Sequence, residues 1–162
     1  MIVLGLDSAS TCGWAVVEST PERLLEHGAV DARDHDEIER LADYVVSKYC
    51  PRRAAIEDSY LGDNVATVKL LSRLVGRWEQ ALALRSVKHE IVMADVWQQG
   101  VLGGLISRRS KRAERKAACV RWVRATYGIG VAEDPADAIG LATWMARREE
   151  VARRLVGRGA RL

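Results

Sequence analysis

Two short apolar runs in this chain close on acids, "IVLGLD" on Asp7 and "AAIE" on Glu57, and two more acids, Asp134 and Asp137, stand three apart in "EDPADAIGLA". If the two runs are strands paired parallel through a helical crossover, both carboxylates emerge at one edge of the sheet, where α/β proteins bind their ligands. Residues three apart share a helix face, so Asp134 and Asp137, docked over that edge, would complete a cluster of four. Four carboxylates repel one another unless a cation sits among them. Hard divalent ions suit an all-oxygen donor set, Mg²⁺ first, with Mn²⁺ as a substitute. Two such ions about 4 Å apart activate a water on one side of a phosphodiester and stabilise the leaving oxygen on the other. The chemistry implied is phosphoryl transfer to water.

Each acid also has a plainer reading. Asp134 before Pro135 suits a helix N-cap with proline at the first helical position, and Asp137 suits the first turn of the same helix. Asp7 suits an Asx turn opening "DSAST", and Glu57 with Asp58 suits a solvated strand end. Order and context together favour ligands.

The elements that must position these acids follow from periodicity. Residues 1–7, 14–18 and 24–30 are apolar runs separated by turn-like stretches, close enough for an antiparallel meander. Ile38, Leu41, Ala42, Val45 and Val46 form a helical stripe that ends before Pro51. A strand at 52–58 precedes a longer helix at 64–84, with Val68, Leu71, Leu74, Val75, Trp78 and Leu82 on one side. A fifth strand at 89–94 is followed by helices near 95–102, at 113–127 and from Asp134. The order predicts an α/β fold: a five-stranded mixed sheet, three antiparallel strands and then parallel ones, flanked by helices on both faces. With 162 residues and no linker or repeat, residues 1–156 read as one domain and 157–162 as a disordered basic tail.

Composition narrows the class. Apolar residues make up 48% and charged residues 29%, and no apolar run approaches a membrane span, so a soluble cytoplasmic protein with no membrane partner is expected. Cys12, Cys50 and Cys119 lack metal or disulfide spacing and read as small buried residues. The net charge is only +3, but it is segregated: residues 108–124 carry eight basic side chains against Glu114, and residues 147–162 six arginines against two glutamates. The remainder is acidic. Such segregation fits either a solvated arginine-rich helix face or a polyanionic partner, nucleic acid before membrane.

Taken together, the motifs resemble the RuvC-type Holliday-junction resolvases. "IVLGLDSASTCGWAVVE" is similar to that family's opening strand pair, "AIEDSYLGDNVATVKLLSRLVG" to its second acidic motif, and "EDPADAIGLA" to its third, in order over nearly the whole chain. The resemblance implies a ribonuclease H-like fold, a homodimer, and nicking of four-way junctions with two Mg²⁺ ions per active site. It assigns catalysis and metal binding to Asp7, Glu57, Asp134 and Asp137. It assigns DNA contacts to Tyr60, which would stack on a base, and to Arg108, Arg109, Lys111, Arg112 and Lys116. The dimer interface would draw on Leu71, Leu74 and Trp78. The turn after Asp7 reads Ser8-Ala9-Ser10 where the family usually carries Pro-Gly, and short loops suit a compact, phage-type member. A denser basic segment would broaden substrate choice toward flaps and forks. A branch-migration partner is compatible with this reading, and nothing in the residues specifies one. "GLDSAST" also resembles the phosphate hairpin of actin-like ATPases, but those need a second such domain. The rivals retained are a ribonuclease H-like nuclease acting on RNA or hybrid, and a non-catalytic junction-binding protein.

Overall fold

The computed structural model describes residues 1–58, 64–107 and 109–159, the last three by backbone alone. The elements run β1 (Ile2–Asp7), β2 (Thr11–Ser19), β3 (Glu22–Asp31), α1 (His35–Tyr49), β4 (Arg53–Glu57), α2 (Val65–Leu84), β5 (Lys88–Val92), α3 (Ala94–Leu102), α4 (Arg112–Tyr127) and α5 (Glu133–Gly159). Every strand and helix expected from periodicity is present. The sheet has the order β3-β2-β1-β4-β5, with β1, β2 and β3 antiparallel and β4 parallel to both β1 and β5.

Local chemistry starts and stops the helices where the sequence allows. Asp34 accepts a hydrogen bond from the Asp36 N–H at the head of α1, and Asn64 accepts from the Ala66 and Thr67 N–H groups at the head of α2. Cys50 closes α1 in a left-handed conformation and is exposed, contrary to the expectation that all three cysteines are buried. The reason is its place: a residue just past a helix end points to solvent. α5 begins at Glu133, one residue before the expected cap, so Asp134 lies inside the first turn. Pro135 is tolerated there because the first N–H groups of a helix lack partners anyway. At the other end α5 runs on to Gly159. Residues 160–162 lie outside the described residues. No described helix is long and apolar enough to cross a membrane.

Strand side chains alternate between two cores. Leu4, Leu6, Trp14, Val16, Ala54 and Ile56 pack with α1 and α2, while Val3, Ala15, Val17, Ala55 and Val92 pack with α3, α4 and α5. Leu74 and Trp78 belong to the first core, at 1% and 0% exposure. They are therefore not dimer-interface residues. The stripe of α2 that periodicity picks out is spent on its own sheet, and Leu71 is half-buried against the same cluster.

Parity places Gly5, Asp7, Gly13 and Glu57 on the second face, under α5. Two of these positions set how close α5 can come. A Cβ on Gly5 would lie 2.5 Å from the Ala138 carbonyl oxygen, and one on Gly13 would overlap the Asp134 backbone carbonyl. Asp134, Ala138 and Ala142 form the stripe of α5 that rests on these glycines. Gly13 pairs with Asp7 across β1 and β2, so the contact that seats α5 also brings its acids over the strand ends.

Gly13→Ala and Gly5→Ala are each expected to destabilise the protein by about 1–3 kcal/mol, since rigid backbone blocks the added methyl. Urea unfolding checks this, and unchanged midpoints would show that α5 does not rest on the glycines.

Candidate active site

Asp7 and Glu57 end adjacent parallel strands, with Leu6 opposite Ile56 in the register just before them. The Ser8 hydroxyl, in the turn after β1, donates to the Glu57 carbonyl at 2.6 Å and so ties the two strand ends together. Asp134 and Asp137 hang over them from the first turns of α5. Three elements distant in sequence thus bring all four expected acids to one edge of the sheet. Asp7 and Asp137 are only 8% and 6% exposed, so neither is a solvated surface acid.

Lys116 on α4 stands in the middle of them. Its Nζ lies 3.1 Å from Asp134 Oδ1, 3.5 Å from Glu133 Oε2 and 3.8 Å from Asp137 Oδ2. Expected on a DNA-facing surface, it points into the acidic cluster instead. Arg109, Lys111 and Arg112 stay exposed around the start of α4, and the positive charge of Arg112 reaches Glu57. Glu114, the lone acid of the basic run, accepts from the Lys111 N–H and caps the helix. Arg115 donates to Gln98 Oε1 and to the Ser107 and Ser110 carbonyls, holding the basic segment against α3. Tyr60 and Arg108 lie outside the described residues.

Charge and burial act against each other here. Burial, then repulsion from Glu57 and Asp137, raises the Asp7 carboxyl well above its usual range. Burial and the charge of Asp137 raise Glu57 to about 7, with Trp97, Lys116 and Arg112 opposing. Burial raises Asp137 to about 6 against the pull of Lys116. For Lys116, burial disfavours the ammonium, but its hydrogen bond to Asp134 and the charges of Asp137, Asp134 and Asp7 outweigh that and raise its pKa.

These residues fit a hard divalent cation by donor chemistry: all oxygen, buried at Asp7 and Asp137 and half-buried at Glu57 and Asp134, and short of positive charge. Among the described residues Asp137 Oδ1 is buried without a well-formed hydrogen bond, with the Cys119 thiol beside the carboxylate, as an oxygen open to a ligand would be. As they stand, no three His, Cys, Asp or Glu side chains among the described residues are disposed to hold an ion. The Lys116 ammonium fills the role of counter-ion to Asp134 and Asp137.

Two neighbours were missed in the sequence. The Trp97 indole N–H donates to Glu57 Oε2 at 2.7 Å, and the Cys119 thiol sits beside Asp137 while donating to the Ala136 carbonyl at 3.2 Å. Trp97 opens the helix that follows β5, whose end pairs with Glu57, and this adjacency was the available signal. Cys119 had none, because its neighbourhood depends on how α4 packs on α5.

The raised carboxyls have a measurable consequence. Folded Glu57 and Asp137 keep protons that the unfolded chain has released, so metal-free stability falls as pH rises between about 4 and 7. Chemical denaturation in chelator should show this decline, and Glu57→Gln should make it shallower; an identical slope in the variant would mean Glu57 titrates normally.

Comparison with known proteins agrees with this geometry. No protein-family model matches the chain. The crossover junction endodeoxyribonuclease RuvC of Rickettsia bellii (strain RML369-C) is 33% identical over 117 residues, 62% of this chain and 73% of that protein. RuvC of Rickettsia prowazekii (strain Madrid E) is 36% identical over 120 residues, 64% of this chain and 75% of that protein. Among solved structures, T. thermophilus RuvC in complex with a Holliday junction substrate superposes with a TM-score of 0.74 at 19% identity, covering 93% of this chain and 96% of that one. The fowlpox virus Holliday junction resolvase superposes at 0.60 with 13% identity, covering 91% and 99%. The solved structures share the ribonuclease H-like fold, and the identity to the Rickettsia proteins over nearly three quarters of their length places this chain in the RuvC family of crossover junction endodeoxyribonucleases.

Proposed function

We propose that this protein is a metal-dependent endonuclease selective for branched DNA, which nicks four-way junctions as a homodimer in the cytoplasm. The observation that carries this reading is the convergence of Asp7, Glu57, Asp134 and Asp137 on one edge of the sheet, with Asp7 and Asp137 buried, beside a basic segment and the Lys116 ammonium. Asp7, Glu57, Asp134 and Asp137 would hold two Mg²⁺ ions, with Mn²⁺ able to replace them. When bound, these ions supply an activated water and neutralise charge on the scissile phosphate.

The chain's own residues do the rest. Burial of Asp7 and Asp137 keeps bulk water from their carboxylates, so attraction to a cation there is little screened. Lys116, its side chain 19% exposed, is placed to turn from Asp134 to a phosphate oxygen once cations replace it among the acids. Arg109, Lys111 and Arg112 line the approach and bind backbone phosphates without reading sequence. Tyr60 and Arg108 keep the stacking and phosphate roles the family motif gives them. The second copy is assigned to the start of α2, where Val65 and Leu70 are exposed and Leu71 is half-buried, in place of the buried Leu74 and Trp78. Closed two-fold symmetry suits two equivalent cuts.

The deciding experiment incubates end-labelled four-way junction, fork, flap, linear duplex and RNA–DNA hybrid with Mg²⁺, Mn²⁺ or chelator. Paired metal-dependent nicks near the branch are expected, lost in Asp7→Asn, which still binds the junction. Sedimentation should give twice the 18.0 kDa chain mass. Cleavage of hybrid alone would favour the RNA reading, and binding without cleavage the non-catalytic one. In a second test, replacing Arg109, Lys111 and Arg112 by alanine should weaken junction binding and flatten its dependence on log salt by roughly 0.9 per lost phosphate contact. An unchanged slope would leave that segment a solvated helix start.

A further inference from the structure

We infer that Trp97 is a positioning residue that fixes the Glu57 carboxylate for a divalent cation; this rests on the metal reading of the four acids. Trp97 is fully buried, and a buried indole N–H must find an acceptor. The acceptor is Glu57 Oε2 at 2.7 Å, and Trp97 is the side chain that donates to this carboxylate among the described residues. The ring is held from behind by α5. A Cβ on Gly140 would lie 2.5 Å from the six-membered ring of Trp97, so the absence of a side chain there makes the slot the ring occupies. Leu102, buried further along the same helix, belongs to the same core cluster.

The chemistry of the donor matters. An indole N–H does not ionise in the working pH range, so it orients Glu57 without neutralising it. Lys116 does the opposite for Asp134, bringing a charge that competes with any incoming cation. With Oε2 committed to Trp97, the carboxylate plane is set and Oε1 is left as the ligand oxygen. Partners that orient a metal ligand in this way typically change affinity by 10- to 100-fold when removed.

Trp97→Phe keeps an aromatic ring and deletes the N–H, and Leu102→Val loosens the same core without touching Glu57. Mn²⁺ binding to metal-stripped protein, read by electron paramagnetic resonance of free Mn²⁺, should weaken about 10-fold in Trp97→Phe and stay at the wild-type value in Leu102→Val. On the metal-free protein, the Trp97 indole N–H resonance should move upfield in Glu57→Gln, a readout that stands even if Trp97→Phe does not fold. Wild-type affinity in Trp97→Phe, equal weakening in both core variants, or an unmoved indole resonance would each overturn the positioning role alone. A wild-type protein that binds no Mn²⁺ would overturn the metal reading, and this inference with it.

Discussion

The fold turns on one close approach, that of α5 to β1 and β2. Gly5 and Gly13 remove the side chains that would hold the helix off, and the Ala138 and Ala142 positions of α5 are correspondingly small. Interiors pack densely enough that one methylene in such a seam is felt. Because Gly13 is paired with Asp7, the same seam that closes the second core forces the acids of α5 down onto the strand ends. Packing and electrostatics are therefore opposed at one place, and packing prevails: two apolar cores hold together a set of carboxylates that would separate if free.

That opposition explains the role of Lys116. Burying like charges raises the pKa of each, which appears at Asp7, Glu57 and Asp137. An ammonium in their midst relieves part of the repulsion, and burial of Lys116 in turn is tolerable only because the acids surround it. One lysine among four carboxylates leaves the cluster short of positive charge, and Asp7, Glu57 and Asp137 stay raised. The basic segment at the head of α4 is continuous with this arrangement: Lys116 sits one helical turn past Arg112, so one helix carries charge both to the acids and to the outer surface.

Much of this was legible in the sequence, for physical reasons that differ by residue. Asp7 and Glu57 were readable because an apolar run ending in an acid marks a strand end, and a helical crossover makes the two strands parallel. Asp134 and Asp137 were ambiguous alone, since a helix start favours acids whether or not they bind anything. Periodicity located the apolar face of α2 but could not say what covers it, and Leu74 and Trp78 went to the sheet rather than to a partner. Lys116 was counted with the surface cations because charge patterning has no direction, and its aim is set by where α4 packs. Trp97 went unremarked, since its own residue type does not distinguish a buried indole with a carboxylate partner from one without.

The small residues of α5 follow from these demands together. Asp134, Ala138 and Ala142 must present little bulk toward Gly5 and Gly13, while Gly140, on another face, must leave room for Trp97. One helix thereby sets the height of two acids above the sheet directly and the orientation of a third, Glu57, through an indole. Ala138, Gly140 and Ala142 look like simple helix packing, yet Ala138 and Ala142 lie against Gly5 and Gly140 leaves room for Trp97. A bulky substitution there would do more than strain the core, because the core and the carboxylate cluster share the same contact.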